Sequence, residues 1–205
     1  MKLEGKKAFE YFVGSAGREF NEFLSTQRAE DYEAAAELIK TAEAKGGRVH
    51  VTGIGKPGHI AGYAASLLSS TGTPSYFLHG TEAVHGSCGQ LVPGDVVIAI
   101  SNSGETQELK ATVIAIKNNG CKVIGVTGGA DSWLAKNSDA LLLAKVGEEG
   151  GPLNRAPRNS VLAEMFVLMA LSAILQADCG QTPAQYVRCH PGGKLGELRD
   201  RKSVV

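Results

Sequence analysis

The chain has 205 residues, enough for one α/β domain with a well-filled core. Its 21 Lys and Arg balance 21 Asp and Glu, leaving no basic footprint for nucleic acid and no polybasic contact for a membrane surface. The four cysteines, Cys88, Cys121, Cys179 and Cys189, are scattered without a C-x-x-C pair, which argues against a disulfide framework and a zinc ribbon.

The N-terminus, Met1-Lys2-Leu3-Glu4-Gly5-Lys6-Lys7, is charged and lacks the apolar segment of a signal peptide. No apolar run reads as long enough to span a membrane. The expectation is a reduced, soluble, cytoplasmic protein whose zero net charge permits self-association. Ala8, Tyr11, Phe12, Phe20, Phe23 and Leu24 form a helical apolar stripe, broken near Gly14 to Gly17. Ala34, Ala35, Leu38, Ile39 and Ala42 form a second, ended by Gly46-Gly47. Arg48 to Thr52 reads as a strand and is followed by Gly53-Ile54-Gly55-Lys56-Pro57-Gly58; His59 to Ser70 reads as a helix. Further strands are predicted at Ser75 to Leu78, Val96 to Ile100, Lys122 to Val126 and Ala140 to Ala144. Helices are predicted at Gln107 to Lys117, Asp131 to Lys136 and Asn159 to Gln176. Wholly apolar strands alternating with helices indicate a parallel sheet covered on both faces. The expected fold is a doubly wound, three-layer α/β sandwich with about five parallel strands. Residues 1–46 are expected to pack on it as N-terminal helices, with residues 47–205 as the main domain.

Ser101-Asn102-Ser103-Gly104-Glu105-Thr106 carries the strongest chemical signal. A buried strand that empties into a hydroxyl-rich, Gly-containing turn at a helix start traps anions through free backbone N–H groups and the helix dipole. Ser101, Ser103 and Thr106 exceed what an N-cap needs, so the turn reads as a phosphate site rather than a cap alone. Gly53, Gly55 and Gly58 satisfy the dinucleotide pattern, but that site wants an acid at the end of the next strand. That strand ends Phe77-Leu78-His79-Gly80, with no carboxylate before Glu82, which disfavours a nicotinamide cofactor. Lys56 lies where a parallel strand delivers side chains to the ligand crevice, although most lysines are simply solvated.

Glu105 reads equally as a first-turn acid favoured by the dipole or as part of the ligand turn. Glu148-Glu149 lie in a loop beyond the fifth strand, where surface acids are common but where one carboxylate could reach the crevice. His50 reads as structural and His59 as a core or capping residue. His79 and His85 bracket Gly80-Thr81-Glu82-Ala83-Val84; the spacing fits no zinc motif, so no metal site is expected beyond an adventitious, inhibitory one. His190, before Pro191, reads by itself as a surface residue.

Together, Gly53 to Ile60, Ser70-Thr71-Gly72-Thr73-Pro74, His79 to Gly86, Ile100 to Thr106 and His190-Pro191-Gly192-Gly193-Lys194-Leu195-Gly196 resemble the sugar isomerase (SIS) domain. Within it, they are similar to the D-arabinose 5-phosphate isomerases. The resemblance runs from about Gly47 to Gly196. It implies interconversion of D-ribulose 5-phosphate and D-arabinose 5-phosphate through a cis-enediol, at the entry to 3-deoxy-D-manno-octulosonate and lipopolysaccharide synthesis. It also implies no cofactor and a homotetramer with sites at subunit interfaces. Lys56, Glu105, Glu149 and His190 match the family's catalytic Lys, two Glu and His. Gly55, Thr71, His85, Ser101, Asn102, Ser103 and Thr106 are the matching substrate contacts. Glu149 is the expected proton-transferring base, Lys56 the oxyanion stabiliser, and His190 a ring-opening or relay residue supplied across a subunit boundary. The chain departs from the family at Pro57, where a Ser is usual, and ends at Val205 without the paired CBS domains many relatives carry, so regulation through them is not expected. The alternatives are another phosphosugar isomerase, of the 6-phospho-3-hexuloisomerase type, and a non-catalytic phosphosugar-sensing SIS domain.

Overall fold

The computed structural model describes residues 4–192 and 194. Gly193, Leu195 and Gly196 of the C-terminal motif lie outside the described residues, as do Met1 to Leu3 and residues 197–205. Five strands, β1 (Val49–Gly53), β2 (Ser75–Phe77), β3 (Val96–Ile100), β4 (Lys122–Thr127) and β5 (Ala140–Leu143), form one sheet in the order β2-β1-β3-β4-β5. All four pairings are parallel. The strand order reverses between β1 and β3, so the C-terminal ends of those two strands open on the crevice where doubly wound sheets take ligands.

The strands are apolar throughout because both faces are covered. Val49, Val51, Ile98, Ile100, Ile124 and Val126 face α2 (Glu30–Ala44), α3 (Lys56–Ser70) and α6 (Asn159–Asp178). Val97, Ala99 and Val123 face α4 (Gln107–Asn118) and α5 (Trp133–Lys136). Full burial of each large aliphatic side chain contributes about 1.5–3 kcal/mol. At the far, N-terminal edge of the sheet, the buried Asp95 carboxylate accepts from Arg48 N–H (2.8 Å), Val92 N–H (3.0 Å) and His50 Nε2 (3.1 Å), which gives His50 its structural role.

Several elements differ from the sequence-based expectation. α1 (Gly5–Thr26) is one helix and is not broken at Gly14 to Gly17. Each internal Gly costs about 1 kcal/mol of helix stability, but tertiary packing outweighs it. Phe20 and Phe23 pack edge-on against Phe166 of α6 at 5.7 and 5.5 Å, and buried Ser15 accepts from Asn159 Nδ2 at 3.0 Å. α3 starts at Lys56 rather than His59, because Pro57 in the first turn loses only an N–H that would be unpaired anyway. Its first turn leaves His59 exposed, neither core nor cap. Two single-turn 3₁₀ helices (Glu82–His85 and Ser87–Gln90) and α7 (Pro183–Cys189) had no counterpart in the expectation. α6 also corrects the statement about membrane-length segments: its 20 residues are long and apolar enough to cross a bilayer. In this fold, Ala163, Val167, Leu168, Leu171 and Leu175 of α6 are buried, and the helix packs alongside α3.

Candidate active site

Three helix N-termini, those of α3, α4 and α6, open on the C-terminal edge of the sheet. The loop from β1 into α3 is tight. A Cβ on Gly53 would stand 2.7 Å from Pro57 C, and one on Gly80 would stand 2.8 Å from Gly53 O. Gly55 has a φ of 66°, a left-handed conformation that suits glycine. Lys56 follows as the first residue of α3, exposed and without an ion pair among the described residues. A cavity of about 400 Å³ lies beside this loop, lined by Gly55, His59, Phe77, His79 and Thr81 among others. No carboxylate is in its lining, so the ribose-binding acid of a dinucleotide site has no equivalent there. His59, read from the sequence as a core or capping residue, and Phe77 are lining residues that the sequence did not assign to the site; the signal available was their position at helix start and strand end.

The turn after β3 is held from several sides. Ser101 Oγ and Thr106 Oγ1 are 3.1 Å apart; Gly104 N–H donates to Ser101 Oγ (3.2 Å) and Glu105 N–H to Ser103 Oγ (3.2 Å). Thr106 occupies the N-cap position of α4 but makes no side-chain cap bond, so capping does not explain its hydroxyl. From the β4 side, Thr127 Oγ1 and Gly128 N–H both donate to Asn102 O (3.1 and 2.9 Å), and Leu134 N–H donates to Gly104 O (3.0 Å). Gly104 has a φ of 65°, and a Cβ there would collide with Ser132 Oγ. The result is an internally ordered turn of hydroxyls at a helix start, a kind of arrangement that suits an anion.

The structure separates the three candidate acids. Glu105 is engaged on both oxygens: its Oε1 accepts from Trp133 N–H (2.7 Å) and its Oε2 from Lys110 Nζ (2.6 Å). The Lys110 hydrogen bond, then the Trp133 amide, hold its carboxyl below the ordinary value. Glu148 ties the loop after β5 to α1, accepting from Tyr11 Oη (2.6 Å) and Arg18 Nη2 (2.8 Å), which likewise keep it ionised. Glu149 is anchored differently. Its Oε2 accepts from Arg158 N–H (2.5 Å) and Ser160 N–H (3.2 Å), so the carboxylate sits on the first turn of α6. Its backbone N–H donates to Asn154 Oδ1 (2.6 Å). Oε1 accepts no bond among the described residues and is the oxygen left for other chemistry.

Two expected residues, Thr71 and His190, lie elsewhere. Thr71 is buried at the C-terminal end of α3, on the opposite edge of the sheet, with its hydroxyl bonded to Leu67 O (2.9 Å) and near Ser172 Oγ (2.8 Å); within one chain it cannot meet a ligand in the crevice. The same edge holds the end of α6, where Gln181 Nε2 donates to Ser70 O at 3.2 Å. α7 and His190 follow from there, and α3 alone spans about 22 Å. His190 stacks on Tyr186 (4.1 Å between centroids), with Nδ1 against Tyr186 O at 2.9 Å, and no bond links it to Lys56 or Glu149. His85 is exposed on its 3₁₀ turn, while His79 Nδ1 accepts from Glu82 N–H (3.3 Å) at the start of that turn. Among the described residues no three His, Cys, Asp or Glu side chains cluster as metal ligands.

Comparison with known proteins gives a consistent picture. The SIS domain profile matches residues 42–174. The chain is 41% identical over 173 residues to arabinose 5-phosphate isomerase KdsD of Pseudomonas aeruginosa, covering 84% of this chain and 52% of that protein. It is 43% identical over 150 residues to KdsD of Escherichia coli K12, covering 73% and 46% respectively. The chain thus spans about half the length of the curated relatives it matches. Among solved structures, the c3406 protein of E. coli CFT073 in complex with arabinose 5-phosphate superposes with a TM-score of 0.83 at 32% identity, over 92% of this chain and all of that one.

Proposed function

The chain belongs to the SIS-domain family, and from that premise we propose that it is an aldose–ketose isomerase interconverting D-ribulose 5-phosphate and D-arabinose 5-phosphate. The observation that carries this is the pairing on one sheet edge of an internally ordered hydroxyl turn, Ser101 to Thr106, with a carboxylate whose second oxygen is uncommitted, Glu149. A binding-only domain has use for the first and not the second.

In this reading Ser101, Ser103 and Thr106 hydroxyls, with the α4 amides, hold the phosphate, and Asn102 orients the turn. Glu149 Oε1 takes the proton from one of the two carbons that exchange oxidation state and returns it to the other, passing through a cis-enediol. Lys56, at the head of α3, stabilises the developing oxyanion. Glu105 shapes the site by fixing α5 against the turn rather than by taking a proton, since a carboxyl held below its ordinary value is a poorer base. His190 reaches a site only as the contribution of another copy of the chain, which is why the functional unit is inferred to be a homo-oligomer, a tetramer by family resemblance. A doubly charged sugar phosphate does not cross bilayers, which supports a cytoplasmic reaction.

The test is a coupled assay with ribulose 5-phosphate against a panel of aldose phosphate products. Formation of arabinose 5-phosphate is the expected result. Exclusive formation of a hexose phosphate from a hexulose 6-phosphate would move the assignment to the 6-phospho-3-hexuloisomerase type, and ligand-induced thermal stabilisation without turnover would move it to a sensor.

A further inference from the structure

Glu164 is the one acid in the apolar run of α6 from Val161 to Leu175. Its side chain is 1% exposed, and neither carboxyl oxygen has a hydrogen-bond partner among the described residues. An isolated carboxylate in such a place is costly unless it keeps its proton. Glu164 lies one helical turn beyond Ser160, whose N–H is held by Glu149 and whose hydroxyl is also buried without a partner. Residues at this spacing share a helix face, and helical side chains lean toward the N-terminus. The Glu164 carboxyl is therefore carried back toward the turn that Glu149 caps. Burial, and after it the charge of Glu149, push Glu164 up to about 8.

No ion pair reaches it among the described residues, and Lys56 and His59 at the head of α3, the helix alongside, are exposed and unpaired with it. α3 and β4 contribute Ala61, Ala64 and Val126 to this core, and α2 contributes Ala35 and Ile39. On α1, Arg18 and Tyr11 are spent on Glu148, and Glu19 accepts from Gly147 N–H. Arg158, at the head of α6, gives its guanidinium to Ala156 O (3.3 Å).

We propose that Glu164 is a positioning residue for Glu149: a buried carboxyl that is neutral during turnover, keeps the head of α6 at a single negative charge, and shuts the site down when it ionises. The proposal rests on the isomerase reading in which Glu149 moves the carbon-bound proton. Removing that proton builds negative charge on the enediolate, and a second carboxylate in the same dry region opposes it. An ionised Glu164 also makes Glu149 hold its captured proton too tightly to return it.

The experiment is the pH dependence of turnover for three forms of the full chain. Wild-type kcat with ribulose 5-phosphate is expected to descend above a midpoint of about 8, by about tenfold per further pH unit. Glu164→Gln removes this descent, and Glu164→Asp restores one. KM moves by less than about twofold in all three, because no phosphate contact is altered. A Gln variant whose profile superimposes on the wild type overturns the proposal. If the wild type turns over no phosphosugar, the isomerase reading fails instead, and Glu164 is judged by carbon-13 NMR titration of its carboxyl in the wild type and in Glu149→Gln. A midpoint near 8 that falls when the Glu149 charge is removed upholds the coupling of the two carboxyls. A midpoint in the ordinary carboxylate range, or one indifferent to Glu149, overturns it. The same titration decides the matter if the Gln variant does not fold.

Discussion

Replacing Glu164 with Gln is expected to change how stability depends on pH, by an amount the structure sets. Folded Glu164 keeps its proton up to about 8, whereas in the unfolded chain it releases it near the ordinary value of 4.5. The native state therefore binds more protons than the unfolded state between those values, and unfolding becomes easier as pH rises. The contribution is fully present below the unfolded value, declines through the window, and is gone above the folded value. At about 1.4 kcal/mol per unit, the loss across the window is about 4–5 kcal/mol, a large share of the 5–15 kcal/mol typical of a whole domain. Urea unfolding at fixed protein concentration, repeated at about pH 5, 6, 7 and 8 with linear extrapolation, measures it. Glu164→Gln carries an amide with a pH-independent cost, so the comparison is between slopes rather than absolute stabilities. Wild-type stability should fall relative to the variant by more than about 1 kcal/mol per pH unit between pH 5 and 7. Parallel curves would refute the reasoning, because they would mean that Glu164 is ionised in the native state or has a partner there.

Glu149→Gln is expected to abolish solvent-deuterium exchange at C2 of the sugar, with kcat lower by about 10²-fold or more, while ligand-induced thermal stabilisation by the phosphosugar persists; retained exchange would move the base to Glu105 or His190. Gly104→Ala drives a methyl into Ser132 Oγ at a φ of 65°, so it should destabilise the chain by about 2 kcal/mol or more and weaken phosphate binding, read from thermal melts with and without inorganic phosphate. Mixing inactive His190→Ala and Glu149→Gln chains, then allowing subunit exchange, should regenerate activity in mixed assemblies if His190 serves a neighbour's site. Mixtures that stay inactive despite exchange would place its role elsewhere.

The layering of the chain was legible because parallel strands announce themselves: Val96 to Ile100 and Lys122 to Val126 are apolar runs closed by Ser, Gly or Thr turns, and their observed limits differ by at most a residue. The continuity of α1 was not legible, since what carries it past Gly14 and Gly17 is Phe166 and Asn159, far away in sequence. α7 could have been found: Thr182-Pro183-Ala184-Gln185 is a capping box in which Thr182 Oγ1 accepts from Gln185 N–H (3.2 Å). At the site, the hydroxyl turn was readable from its composition. The division of labour among the acids was not, because Glu148 and Glu149 are neighbours with identical chemistry and only the fold assigns one to Arg18 and the other to the head of α6. Thr71 matched a motif that follows α3, and helix length alone carries that position to the other end of the sheet. Glu164 left a trace in the sequence as a lone acid amid apolar neighbours.

The interlock between Gly104 and Ser132 bears on how such a pocket can be re-engineered. The segment from Ser101 to Thr106 has no room to vary alone: its backbone is clasped by Thr127, Gly128 and Leu134, and its glycine is shaped to the serine that starts α5. Grafting new specificity by exchanging one segment would leave the other mismatched at van der Waals contact. Residues 101–106 and 127–134 are therefore one unit for redesign, to be varied together rather than one at a time.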